Sequence, residues 1–220
     1  MMRLYPMALK LTGRRCVVVG GGTIAERKVA SLVECDAQVV VVSPALTPSL
    51  EAMAARSDIT VIKRPFEPSD AAGAVMVIAA TNDSSVNEAV TTAAHAAGAL
   101  VNVVDVPHLC DFYVPASFTR GDLQITISTS GACPALAKRL REELETHIGP
   151  EYEAYAQILA SFRKDLRTQV TDAARRKAAE EALLSSPALE LVRAGRIAEA
   201  ASLAADVLAE FSDLTSDTGR

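Results

Sequence analysis

The residues best placed to do chemistry form one run, Val17-Val18-Val19-Gly20-Gly21-Gly22-Thr23-Ile24-Ala25. It reads G-x-G-x-x-A, the spacing of a dinucleotide-binding turn. In that pattern Gly20 makes the tight turn. Gly22, with no Cβ, lets the backbone approach a pyrophosphate, and Ala25 allows a helix to pack closely on a strand. The phosphates would meet unpaired N–H groups at the helix start, where the dipole favours negative charge. The alternative is a glycine-rich turn in an α/β domain with an empty crevice. One element of the fingerprint is missing: the second strand usually ends in an acid that holds the adenine-ribose hydroxyls. Here it ends Val42-Ser43-Pro44, so the fingerprint leaves NAD and NADP undecided.

Ligands of doubly wound sheets lie at the carboxyl ends of the strands. Three segments should converge there: Gly20 to Ile24, Ala80-Thr81-Asn82-Asp83, and Asn102-Val103-Val104-Asp105. Thr81, Asn102 and Ser43 therefore join the glycines as candidate cofactor contacts. Asp105 is the ionisable side chain at the end of its strand. A partly buried carboxylate beside a nicotinamide ring could move a proton while hydride moves, which typically contributes ~10²–10⁴ in rate. The competing reading is a turn-making or capping Asp before Pro107.

These residues need a sheet to position them. Cys16 to Val19, Val39 to Val42, Thr60 to Ile62, Val75 to Ala80 and Leu100 to Val104 read as buried strands. Between them lie helical stretches from Ala25 to Glu34, after Thr47-Pro48, and from about Ser84 to Ala97. Such β-α alternation calls for right-handed crossovers and a parallel sheet. After Asp105 the pattern changes. Phe112 to Phe118 and Leu123 to Thr129 read as a hairpin turning at Thr119-Arg120-Gly121-Asp122. Pro134 opens an amphipathic helix to about Ile148. The remainder reads as helix from Glu151 to Leu184, a break at Ser185-Ser186-Pro187, and two short helices separated by Gly195, with a frayed polar tail from Thr215.

Composition limits the function classes. The chain has 220 residues, is 50% hydrophobic and 22% charged, and its net charge is −5. It is too apolar to be disordered and long enough for a substantial core. Mild acidity argues against nucleic acid as the main partner. Cys16, Cys35, Cys110 and Cys133 form no C-x-x-C pair, so reduced, mostly buried thiols in a cytosolic protein are expected. No long apolar leader or membrane span is present in the sequence, and the protein is read as soluble and cytoplasmic. No metal-ligand set is assigned.

Several motifs in order carry a family resemblance: Gly20-Gly21-Gly22-x-x-Ala25-x-Arg27-Lys28, Ala79-Ala80-Thr81, Asn102-Val103-Val104-Asp105, Leu109-Cys110-Asp111-Phe112, Arg120-Gly121-Asp122-Leu123, and Pro134 to Arg141. They resemble the precorrin-2 dehydrogenase/sirohydrochlorin ferrochelatase family, the N-terminal module of siroheme synthase. The resemblance runs from about Leu4 to Leu144. It implies oxidation of precorrin-2 to sirohydrochlorin with NAD, followed in many members by insertion of ferrous iron. It implies an α/β fold with a Rossmann domain (1–111), a small α+β dimerisation segment (112–148) and a helical domain (149–214), ahead of the tail (215–220). A homodimer with tetrapyrrole bound between domains is implied as well. The family's catalytic aspartate falls on Asp105, and its cofactor contacts fall on Thr23-Ile24 and Pro44-Ala45. Larger siroheme synthases add a methyltransferase domain, so uroporphyrinogen methylation is expected of another protein.

Where the family often has Ser-Thr-Gly-Gly, this chain has Ser128-Thr129-Ser130-Gly131. Thr129 and Ser130, ahead of a helix N-terminus, could receive a substrate carboxylate, or form an ordinary capped turn. Arg120, Lys138, Arg139 and Arg141 suit the acetate and propionate groups of precorrin-2. They equally suit a solvated helix face paired with Glu142, Glu143 and Glu145. His108 lies three residues after Asp105 and could assist metal delivery or simply stand in solvent; His95 and His147 read as surface or boundary residues. Three alternatives remain. One is a dehydrogenase without chelatase activity. Another is a non-catalytic NAD-sensing module. The third, a short-chain oxidoreductase, needs Tyr-x-x-x-Lys, and none of Tyr5, Tyr113, Tyr152 or Tyr155 has that lysine.

Overall fold

A computed structural model describes residues 4–212. The tail expected from Thr215 lies outside them. The chain forms two compact units that divide between Val114 and Pro115.

The first unit holds β1 (Arg15–Val19), α1 (Thr23–Glu34), β2 (Gln38–Val42), α2 (Pro48–Ala55), β3 (Thr60–Ile62), β4 (Met76–Ala79), α3 (Ser84–Ala96) and β5 (Leu100–Val103). All five strands are parallel, in the order β3-β2-β1-β4-β5. The chain runs outward from β1 through β2 to β3, then returns to lay β4 on the other side of β1. The strand order therefore reverses between β1 and β4, and a crevice must open at their carboxyl ends.

The valine runs explain why the sheet is covered on both faces. Side chains alternate across a strand. Val17, Val19, Val40, Val42, Val77 and Val101 pack with Val90 and Ala94 of α3 on one face. Cys16, Val18, Val39, Val41 and Ile78 pack with Ala25 and Val29 of α1 and Leu50 of α2 on the other. Local signals bound α2 and α3. Thr47 caps α2 by accepting from Leu50 N at 3.3 Å, with Pro48 at the first helical position. Asp83 caps α3 by accepting from Ser85 N and Val86 N, and Gly98 at φ 69° follows its end.

The second unit begins with the antiparallel hairpin β6 (Ala116–Arg120) and β7 (Leu123–Ile127), joined by Gly121-Asp122. Arg120 thus ends a strand rather than belonging to the turn, and residues 112–115 are irregular rather than strand. Then come α4 (Pro134–His147), α5 (Glu151–Gln169), α6 (Ala173–Leu184), α7 (Ala188–Arg193) and α8 (Ile197–Phe211). Tyr155, Phe162, Leu166, Leu183, Val192 and Leu208 build its core. The single helix expected from Glu151 to Leu184 is two. Val170 turns extended at φ −127°, and Asp172 restarts the chain by accepting from Arg175 N at 2.7 Å. Arg176 donates to the freed carbonyls of Val170 and Thr171, which stabilises the break.

Candidate functional site

The glycine turn is shaped by two close approaches. Gly20 sits at φ 122°, and a Cβ there would lie 2.3 Å from the carbonyl oxygen of Ala80 at the end of β4. Gly21 has a different neighbour: its Cβ would lie 1.9 Å from Ala45 O and 2.8 Å from Ser43 Oγ. Thr47 N also donates to Gly21 O at 2.9 Å. The Ser43–Thr47 loop is thus sealed onto the middle glycine, a role that the G-x-G-x-x-A pattern does not contain. At Gly22 a Cβ would meet nothing within 4 Å. Gly22 is also the N-cap of α1 and offers no side-chain hydrogen bond, so the first N–H groups of α1 lack the side-chain partner that most helices supply.

These segments enclose a cleft of about 610 Å³ at the point where the strand order reverses. Gly20, Gly22, Thr23, Ile24, Ser43, Pro44, Ala45 and Thr81 all line it. Its size is within the range of small-molecule and cofactor pockets. An open position at Gly22 beside an uncapped helix start fits a dinucleotide pyrophosphate. Thr23 and Ile24 would hold it there, and Ser43–Ala45 would meet the adenosine half.

One wall of the cleft is formed by Pro65 and Phe66. Arg64, next in the chain, donates to both oxygens of Asp70 at 2.8 and 2.7 Å, and Asp70 also accepts from Glu67 N at 2.8 Å. The hydrogen bonds from Arg64 hold the Asp70 carboxyl below its usual range, against the opposing effect of burial. This buried carboxylate fixes the wall's geometry.

Asn102 is not in the cleft. It is buried, and its side-chain amide donates to Phe112 O at 2.9 Å and to Cys110 Sγ at 3.6 Å, tying β5 to the following loop. Asp105 stands two residues beyond β5, at the same sheet edge as Thr81 but outside the cleft lining. Rather than the partly buried carboxylate its position after a strand suggests, Asp105 is exposed, at φ 60°. Asp and Asn tolerate that left-handed conformation better than most residues, which favours an aspartate there. Lys28 of α1 lies within electrostatic range. Burial pushes its ammonium below the usual range, Arg27 adds to this, and the Asp105 carboxylate opposes it.

The remaining candidates belong to the second unit. Thr129 Oγ1 accepts from Cys133 N at 3.2 Å in the β7–α4 loop. Ser130 is at φ 53°, a conformation glycine adopts freely, which accounts for glycine in the family pattern. Arg120 does not project freely. Its side chain donates to Ile148 O at 3.1 Å and Thr119 O at 2.9 Å, pairs with Glu145, and stacks 5.1 Å from the Phe118 ring centre. It fastens the hairpin to the end of α4. Arg141 pairs with Glu145 at 2.6 Å, and Lys138 reaches Glu142 at 3.9 Å. Arg139 is exposed and has no ion-pair partner among the described residues. His108 is exposed, His95 pairs with Asp111 at 3.1 Å, and His147 bonds Glu143 O. Of the four free cysteines Cys16 is buried, Cys110 half-buried, and Cys35 and Cys133 exposed, so only half of the thiols are sheltered.

Fold and cleft together define a dinucleotide-binding protein of the Rossmann type. Residues 7–116, half of the chain, match the family described as "Putative NAD(P)-binding", and residues 120–147 match the family described as "Sirohaem biosynthesis protein central". The chain belongs to this NAD(P)-binding family and carries the central sirohaem-biosynthesis segment directly after it. It is 40% identical over 195 residues to a siroheme synthase of Thioalkalivibrio sulfidiphilus, covering 89% of this chain and 40% of that one. With a siroheme synthase of Methylobacillus flagellatus it shares 43% identity over 176 residues, covering 80% and 38%. The chain therefore spans about two fifths of the length of these relatives. Among solved structures it resembles one described as SirC, precorrin-2 dehydrogenase, with a TM-score of 0.76 and 27% identity, covering 92% of this chain and all of that one. No helix among the described residues is long and apolar enough to cross a membrane.

Proposed function

We propose that this chain is an NAD-dependent precorrin-2 dehydrogenase of siroheme biosynthesis. The observation that carries the reading is the cleft at the strand reversal, open at Gly22 and floored by an uncapped helix start, with Asp105 on the same sheet edge. The likeness to a precorrin-2 dehydrogenase over the whole of that chain supports the substrate. Oxidation of precorrin-2 to sirohydrochlorin removes a hydride and a proton. NAD, when bound, supplies the hydride acceptor. Gly20, Gly22, Thr23 and Ile24 bind its phosphates, and Ser43, Pro44, Ala45 and Thr81 bound the cleft that orients it. Asp105 takes the proton as general base. Thr129, Ser130, Lys138 and Arg139 meet substrate carboxylates, while Arg120 holds the hairpin in place.

The reading extends to a cytoplasmic homodimer assembled through the hairpin and α4, with 149–214 as the helical part that follows. Leu136, Leu140 and Leu144 of α4, exposed at 47%, 37% and 37%, support such an interface. Insertion of ferrous iron into the product is the second step that the resemblance implies. Asp105→Asn tests the assignment: it should bind NAD as the unmodified chain does and lose about 10²-fold or more of its turnover. Normal turnover by that variant would remove Asp105 from the mechanism.

A further inference from the structure

The end of β2 bears no acid, so the strand itself offers no carboxylate to an adenine ribose. Two hydroxyls line the cleft there instead, Ser43 and Thr47. A hydroxyl carries one proton and two acceptor positions. Ser43 Oγ donates its proton to Ala45 O at 2.7 Å. Thr47 Oγ1 donates its proton to Glu26 Oε2 at 2.7 Å and accepts from Leu50 N at 3.3 Å. Neither oxygen has a proton left to give, and each keeps an acceptor position. Glu26 stands in the first turn of α1, one residue after the fingerprint's Ala25. A carboxylate thus reaches the end of β2 from the neighbouring helix, bonded to Thr47.

This polarity distinguishes two ligands. A ribose 2′-hydroxyl can donate to an oxygen that only accepts. A 2′-phosphate brings acceptors and negative charge, and would meet no free hydroxyl proton at Ser43 or Thr47, with the Glu26 side chain directly behind Thr47. Lys63 of the adjoining segment is bonded to Glu51, and Arg64 is paired with Asp70 and Glu67. We propose that Glu26, acting through Thr47, supplies the ribose recognition that β2 lacks and makes the cleft select NAD over NADP. This rests on the reading of the cleft as a dinucleotide site. Glu26 is a positioning residue: it fixes the direction of the Thr47 hydroxyl.

The test compares dissociation constants for NAD and NADP by calorimetry, without substrate. The unmodified chain should prefer NAD by about tenfold or more, the scale of one mispaired buried hydrogen bond. Glu26→Ala releases the Thr47 proton and removes the charge, and should reduce that preference about fivefold or more. Thr47→Ser keeps the hydroxyl and should retain the preference, whereas Thr47→Val should lose it. If Glu26→Ala does not fold, the Thr47 pair makes the same comparison. An unmodified chain that binds both dinucleotides equally, or an unchanged ratio in the Glu26→Ala or Thr47→Val variant, overturns the inference alone. A chain that binds neither dinucleotide overturns the site reading and the inference together.

Discussion

Gly21 and Gly22 are adjacent, chemically identical and predicted to fail in different ways. In Gly21→Ala the new methyl would sit 1.9 Å from Ala45 O. Reaching even a tight 3.0 Å contact needs a shift of 3.0 − 1.9 = 1.1 Å. The shift must come from backbone, because Ala45 O is a carbonyl in a loop anchored by Thr47 N to Gly21 O at 2.9 Å. Overpacking of this kind costs about 1–3 kcal/mol, and loss of the anchoring hydrogen bond about 1 kcal/mol more. The sum, about 2–4 kcal/mol, lowers the melting temperature by about 4–16 °C for a chain of this size. In Gly22→Ala the methyl meets nothing, and φ −86°, ψ −175° is extended backbone open to alanine. Its stability should stay within about 1 kcal/mol of the unmodified chain. Its NAD affinity should fall about tenfold or more, because the methyl occupies the approach to the α1 N–H groups. Scanning calorimetry with and without NAD reads both effects. A Gly21→Ala protein as stable as the unmodified chain, or a Gly22→Ala protein with full NAD affinity, would refute the steric argument.

Asp70→Asn leaves Arg64 with only its longer contact to Glu67 at 3.6 Å and should cost about 1–3 kcal/mol, measured by urea unfolding. Because the folded Asp70 carboxyl lies below its usual value, its contribution is present above the unfolded carboxyl pKa and is lost as pH falls through the folded one. The Asp70→Asn variant should therefore lose less stability on acidification than the unmodified chain. Burial pushes the Cys16 thiol up to about 11, so a thiol reagent at neutral pH should modify Cys35 and Cys133 quickly, Cys110 more slowly, and Cys16 only on unfolding; mass spectrometry of the labelled peptides checks the order. Leu140→Glu on the exposed α4 face should shift the chain towards monomer in sedimentation velocity with little change in helix content.

Much of this architecture is written locally. Runs such as Val39 to Val42 are short, β-branched and bounded by turn residues, so the five strands and their parallel pairing follow from pattern, whereas the order β3-β2-β1-β4-β5 needed the fold. Thr47-Pro48 and Gly98 mark helix ends by chemistry that acts within a few residues. The α5–α6 break had only one local sign, Asp172 as a helix cap, set in a stretch rich in helix formers; Arg176 reaching back to Val170 O and Thr171 O completes it. Long-range geometry hid the rest. Gly21 looks like a spare residue in the fingerprint until Ala45, far along the chain, is seen against it. Asn102 sits where strand ends converge, yet its amide faces the loop at Phe112 and not the cleft. Arg120 reads as a free cation beside a turn, while its donors are bonded to the end of α4. Glu26 is visible as an acid in the first turn of a helix, but its tie to Thr47 required the fold.

In the proposed oxidation, precorrin-2 would give its hydride to NAD and its proton to Asp105, leaving sirohydrochlorin. That reaction is tested most directly by anaerobic incubation of the chain with precorrin-2 and NAD, following NADH absorbance and the sirohydrochlorin spectrum in one cuvette. Both should rise together, in equal amounts, and only when the chain is present. Absence of NADH from protein that binds NAD, or NADH formed without sirohydrochlorin, would contradict it.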